Sequence, residues 1–141
     1  MQVERKNFTF QLKLGGRGWF LRIVENSGGR SNEIIVPVAG LEDFKNLADD
    51  MVRAANESPS AAGAEPNSSM SLAEEALKTE KMQLEHKSFT FLLRQNKQGR
   101  FLRITEEKNN HFSNIIIPAE GLEEFKKWVV EMAKASKKLK K

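Results

Sequence analysis

The sequence predicts an α+β fold made of two β-β-β(-β)-α units, each a set of antiparallel strands followed by one helix. Three observations carry this. The chain repeats itself at a constant offset of 81 residues, without a gap, from Met1 and Met82 to Met51 and Met132. The first part of each repeat alternates apolar and polar residues with period two, as a half-buried strand does. The last part spaces its apolar residues by three and four, as an amphipathic helix does.

The strands come first. Phe8, Phe10, Leu12 and Leu14 alternate with Thr9, Gln11 and Lys13, and Phe89, Phe91 and Leu93 alternate with Thr90, Leu92 and Arg94. Gly15-Gly16-Arg17-Gly18 and Asn96-Lys97-Gln98-Gly99 follow as hairpin turns, since glycine and asparagine tolerate positive φ. Trp19 to Val24 and Arg100 to Thr105 read as the next strands. Polar loops are expected over Asn26 to Asn32 and Lys108 to Ser113. A β-branched run then ends at Pro37 or Pro118, because proline cannot donate to a ladder. Met1 to Arg5 supplies a short extra strand.

Leu41, Phe44, Leu47, Ala48 and Met51 share one face of the first helix, and Leu122, Phe125, Trp128, Val129 and Met132 share one face of the second. Glu42, Asp43, Glu123 and Glu124 occupy the first turns, where acids favour the positive end of the helix dipole. Between the repeats, residues 56–80 read as a flexible acidic linker rich in Ala, Ser, Glu and Asn. Within it Ser71-Leu72-Ala73-Glu74 has capping-box spacing, which predicts a short helix to about Lys78. The organisation expected is repeat 1 over 1–55, the linker over 56–80, repeat 2 over 81–134 and a Lys-rich tail over 135–141.

Each repeat is about 50 residues, a size at which a lone core is marginal without a metal or disulfide. The chain has no cysteine, which excludes disulfides, thiolate metal sites and cysteine nucleophiles. Mutual burial of the repeats is the remaining route to a core. The first ten residues hold no continuous apolar segment and no run approaches the roughly 18–20 apolar residues of a membrane span, so neither a secretory signal nor a span is expected.

The net charge of +4 is uneven: residues 1–55 carry 8 Lys/Arg against 7 Asp/Glu, 56–80 carry 1 against 5, and 81–141 carry 14 against 7. A basic second repeat points weakly to a polyanionic partner. The alternation adds detail. With Leu21, Ile23, Leu102 and Ile104 facing a helix, Phe20, Arg22, Phe101 and Arg103 fall on the other side of their sheets. Lys13 and Arg94 join that side from the preceding strands, and Arg17, Lys97 and Arg100 add cations at the hairpins. An aromatic ring among cations suits single-stranded nucleic acid, whose bases stack at about 1–3 kcal/mol each while cations neutralise phosphates. The competing reading has Phe20 and Phe101 filling the seam between the repeats.

These residues resemble the PUR repeat of the purine-rich element binding (Pur-alpha) family. The second repeat carries it best, in Arg94-Gln95-Asn96-Lys97-Gln98-Gly99-Arg100-Phe101-Leu102-Arg103-Ile104 followed by Gly121-Leu122-Glu123-Glu124-Phe125. The first carries Lys13, Gly18-Trp19-Phe20-Leu21-Arg22-Ile23 and Leu41-Glu42-Asp43-Phe44. The resemblance implies two β-β-β-β-α repeats intertwined into one pseudo-two-fold domain related to the Whirly-type single-strand binders. It also implies binding of purine-rich single-stranded DNA or RNA on the sheet surface. By that resemblance the basic residue before the hairpin is Lys13 and Arg94, the asparagine is Asn96, and the stacking aromatic is Phe20 and Phe101. Gly15 stands where the first repeat should have its asparagine. The binding set is thus Lys13, Arg17, Phe20, Arg22, Arg94, Asn96, Lys97, Arg100, Phe101 and Arg103.

His86 and His111 have no motif neighbours, and the Gly-rich turn lacks the Lys-Ser/Thr of a P-loop. No catalytic constellation, metal site or cofactor is expected. The expected state is a monomer of two repeats, with a homodimer as the alternative, acting in the nucleus or cytoplasm on purine-rich single strands and not on membranes. The competing function is a protein-interaction module that kept the fold and lost the nucleic-acid face.

Overall fold

Strand alternation and helical periodicity both materialise, but each helix finds its sheet in the other repeat. The computed structural model describes residues 1–3, 5–57, 75–84, 86–96 and 99–139. The first sheet holds β1 (Gln2–Val3), β2 (Lys6–Gly15), β3 (Gly18–Ser27) and β4 (Arg30–Pro37) in that spatial order. The second holds β5 (Glu75–Gln83), β6 (Ser88–Asn96), β7 (Gly99–Lys108) and β8 (His111–Pro118), again in order and antiparallel throughout. A single 3-10 turn links each last strand to its helix, α1 (Leu41–Glu57) or α2 (Leu122–Ser136).

The strand registers repeat the 81-residue offset. Phe8 lies opposite Glu25 and Phe89 opposite Glu106; Lys13 lies opposite Phe20 and Arg94 opposite Phe101. The two polar loops expected from sequence shrink to tight turns. Gly28 and Gly29 have φ of 56° and 86°, and Asn109 and Asn110 have φ of 52° and 67°, the pair of positive values that a primed hairpin turn requires. The flanking polar residues continue the strands. The short helix expected to reach Lys78 is not formed. Glu75–Gln83 is strand β5, paired to β6 with a bulge between Ala76 and Lys78, and Leu77 and Met82 pack on the core. Ladder pairing and apolar burial make residues 75–78 strand, and the capping residues 71–74 lie outside the described ones.

The core is continuous across the repeats. Phe44 of α1 meets Phe91 at 5.0 Å and Phe89 at 5.8 Å between ring centroids, both on β6 of the other repeat. Symmetrically, Phe125 of α2 meets Phe10 of β2 at 5.7 Å, and Trp128 stacks on the same ring at 5.6 Å. Offset tilted pairs of this kind contribute about 0.5–1.5 kcal/mol beyond area burial. Leu21, Ile23, Ile34 and Val36 are wholly buried, as are Leu102, Ile104, Ile115 and Ile117. The seams run close past two glycines. A Cβ on Gly40 would stand 2.6 Å from Leu84 Cδ2, and one on Gly121 would run into Val3.

Polar groups lock the exchange. The outer strands β4 and β8 turn the N–H and C=O of Ile35 and Ile116 away from their own ladders. Glu106 Oε1 accepts from Ile35 N–H (2.9 Å), Lys87 Nζ donates to Ile35 C=O (2.9 Å), and the two side chains pair at 2.7 Å. Glu25 Oε1 accepts from Ile116 N–H (3.1 Å), Lys6 Nζ donates to Ile116 C=O (3.0 Å), and Lys6 and Glu25 pair at 2.8 Å. Every member is related to its counterpart by 81 residues. Two ion pairs thus close two sheet edges that would otherwise bury unpaired backbone groups.

The sheets differ in one respect. β1 pairs with only Lys6 and Asn7 of β2, whereas β5 runs along β6 from Ser88 to Gln95. Phe91 and Leu93 are consequently buried, while their counterparts Phe10 and Leu12 are half-buried, and Leu14 is 65% exposed.

Candidate nucleic-acid interface

The helix-free face of each sheet is built from cross-strand rows. In the second sheet Ala76, Arg94, Phe101 and Pro118 form one row, and Thr79, Leu92, Arg103 and Ile116 the next. In the first sheet the equivalents are Lys13, Phe20 and Pro37, then Gln11, Arg22 and Ile35. Period-two alternation is what puts them there: the neighbours Leu21, Ile23, Leu102 and Ile104 are buried on the opposite side. Phe20, Arg22, Arg94, Phe101 and Arg103 are half-buried, and Lys13 is exposed. Rings and cations therefore share a surface in both repeats, Arg94 directly across from Phe101 and Lys13 across from Phe20.

The two faces are electrostatically unequal. Arg22 donates from Nε to Glu33 Oε1 at 2.7 Å and from Nη1 to Gln11 Oε1 at 3.1 Å, so its guanidinium is occupied inside the sheet. At the matching places around Arg103 stand Asn114 and Leu92. Arg103 Nε is buried and has no hydrogen-bond partner among the described residues. Glu33 was not singled out from the sequence. The signal that finds it is a disagreement between the repeats, Glu33 against Asn114.

The remaining candidates separate. Asn96 ends β6, half-buried and opposite Gly99. Its counterpart Gly15 leaves room that the first repeat uses differently: Phe20 Cε2 lies 3.0 Å from where a Cβ would be. Arg17 is exposed in the β2–β3 turn. Lys97 lies outside the described residues. Arg100 does not join this face. It sits opposite the buried Gln95, donates to Gln95 Oε1 (3.3 Å), and its Nη1 donates to the carbonyl of Ala55 in the last turn of α1. A cation on terminal helix carbonyls satisfies orphan acceptors and the dipole together. Trp19 holds the matching position in the first repeat, where it lines a crevice with Leu14, Ser136 and Leu139 beside the end of α2. His86 and His111 are both exposed.

Among the described residues no group of three or more His, Cys, Asp or Glu side chains is arranged to hold a metal. No helix among them is long and apolar enough to cross a membrane.

The family model described as "PurA ssDNA and RNA-binding protein" matches residues 1–137. The chain is 32% identical over 142 residues to "Transcription factor Pur-alpha 1" of Arabidopsis thaliana, covering 96% of this chain and 42% of that protein. It is 29% identical to the human "Transcriptional regulator protein Pur-beta", covering 89% of this chain and 46% of the relative. The human "Transcriptional activator protein Pur-alpha" is 26% identical, with 89% and 42% covered. The chain thus spans somewhat less than half the length of these relatives. Two β4-α repeats with exchanged helices, a ring and cations on each outer face, and a family match across nearly the whole chain lead to one assignment: the protein belongs to the PurA family of single-stranded DNA- and RNA-binding proteins.

Proposed function

We propose that this chain binds single-stranded DNA or RNA, preferring purine-rich strands, chiefly on the helix-free face of its second sheet. Arg94, Asn96, Phe101 and Arg103 do most of the work. Lys13, Arg17 and Phe20 form a weaker counterpart on the first sheet. The observation carrying this is the contrast between the two arginines: Arg22 is paired with Glu33, whereas Arg103 has Asn114 at the matching place and makes no ion pair with the described residues. A guanidinium held near a ring with donor capacity to spare stabilises a phosphate next to a stacked base. The relatives named as transcriptional regulators support a role in transcription, and hence action in the nucleus.

Fluorescence anisotropy of labelled purine-rich and pyrimidine-rich single strands, read over a salt series, tests the proposal. Phe101→Ala should weaken binding by about 1–3 kcal/mol, the loss of one stacked base. Phe20→Ala should cost less. Equal losses from the two would overturn the assignment to the second sheet, and absence of binding at low salt would overturn the function. A protein-interaction module is the second reading, and the edge of β2 beyond Phe8, unpaired among the described residues and with Leu14 65% exposed, favours it.

A further inference from the structure

We propose that the cleft where the β2–β3 turn of the first repeat meets the β5–β6 and β7–β8 connections of the second is a phosphodiester site. It rests on the reading that the chain binds single strands, and it draws on both repeats. Arg17, His86, Lys87 and Lys108 line it above an apolar wall of Pro37 and Leu84, and none of the described residues that line it is a carboxylate. Lys87 is committed to Glu106 and the Ile35 carbonyl. Arg17, His86 and Lys108 are exposed and make no hydrogen bond or ion pair with the described residues. Two cations and an imidazole therefore converge with their donors uncommitted. Next to apolar surface, such donors hold an anion more strongly than the same groups spread over open solvent.

Position ties the cleft to the strand-binding face. Pro37, part of the cleft wall, is the cross-strand neighbour of Phe20, and Lys13 is the neighbour on the other side. A strand stacking a base on Phe20 thus has its backbone beside Arg17 and Lys108. This supplies what the first repeat lacks, because its own Arg22 is taken up by Glu33. The second repeat lends cations to the first.

The pseudo-symmetric position shows that such a site is not a by-product of the fold. Adding or subtracting 81 converts Arg17, Ala39, His86, Lys87 and Lys108 into Gln98, Glu120, Arg5, Lys6 and Ser27. Lys6 is paired with Glu25, and Arg5 is matched by the charge of Glu120, so among the described residues the mirrored place carries no surplus positive charge.

The test is anisotropy with a short labelled purine-rich strand, using the whole chain over a salt series. Each phosphate contact adds about 0.7 to the slope of log affinity against log salt for single strands. Lys108→Gln should lower the slope by about 0.7 and weaken binding several-fold at low salt. Ser27→Lys with Glu120→Gln should raise it by a similar step, while Arg5→Gln leaves it unchanged. Binding by the parent chain with an unchanged slope in Lys108→Gln would overturn the cleft alone. Equal losses from Lys108→Gln and Arg5→Gln would reduce it to general surface charge and overturn it as well. No binding by the parent chain is a different result, and overturns the functional reading beneath it.

Discussion

Replacing both Lys87 and Glu106 by methionine should destabilise the protein even though it removes a buried ion pair cleanly. Exchanging such a pair for apolar residues of similar volume is ordinarily neutral or stabilising, because the desolvation penalty disappears with the charges. Here the pair has a third partner. The side chains, 11% and 13% exposed, serve the N–H and C=O of Ile35 on the outer edge of β4. Methionines leave both backbone groups without a partner, at about 1–3 kcal/mol each, less whatever water recovers. A net loss of about 2–4 kcal/mol follows. The single change Glu106→Ala should cost about 3–5 kcal/mol, because it also strands the Lys87 charge. Urea unfolding at fixed pH, with the slope of free energy against denaturant checked for constancy, measures both. The mirrored double variant at Lys6 and Glu25 should lose a similar amount, since its contacts to Ile116 match in kind and length. A Lys87→Met, Glu106→Met protein within about 0.5 kcal/mol of the parent would refute the claim that these side chains are held for the backbone they serve.

Three further outcomes follow from other contacts. Glu33→Gln should release Arg22 and steepen the salt dependence of strand binding by about 0.7 in slope, measured by anisotropy; an unchanged slope would show that Glu33 does not restrain the first face. Gly121→Ala should cost about 1–3 kcal/mol in urea unfolding, because a methyl group runs into the branched Val3, and Gly40→Ala should cost less, because the flexible end of Leu84 can turn aside. Residues 1–57 expressed alone should lack a cooperative thermal transition by circular dichroism, since Phe44 loses the Phe89 and Phe91 rings it packs on; a stable folded monomer would contradict the exchange of helices.

Much of the fold was legible because it rests on local periodicity. Phe8, Leu21, Ile23, Phe44 and their counterparts at +81 are buried as the alternation and helical spacing require. The Asn26 to Asn32 and Lys108 to Ser113 segments misled because polar residues at the end of a sheet carry no alternation. Their two-residue turns are read only from Gly28-Gly29 and Asn109-Asn110. β5 misled in the opposite sense, since its polar composition hides a strand made by pairing with β6. At the candidate interface the face assignment of Phe20, Arg22, Phe101 and Arg103 followed from parity. Arg100 did not, because its partner is a main-chain carbonyl 45 residues away in another element. The Lys6–Glu25 and Lys87–Glu106 clamps left a trace, identical residues at the repeat offset, but identity does not say which backbone they hold.

The repeat, the order of strands and helices, and the sidedness of each strand follow from sequence alone, since each depends on neighbours a few residues apart. Which sheet each helix covers, and which cations remain uncommitted, were settled in three dimensions. An apolar helix stripe fits either of two nearly identical sheets. The choice between them lies in inter-repeat contacts such as Gly40 on Leu84 and Gly121 on Val3, which no local pattern encodes. The inequality of the two faces has the same origin. Arg22 and Arg103 are alike in sequence and register, and a cross-strand glutamate and glutamine tell them apart.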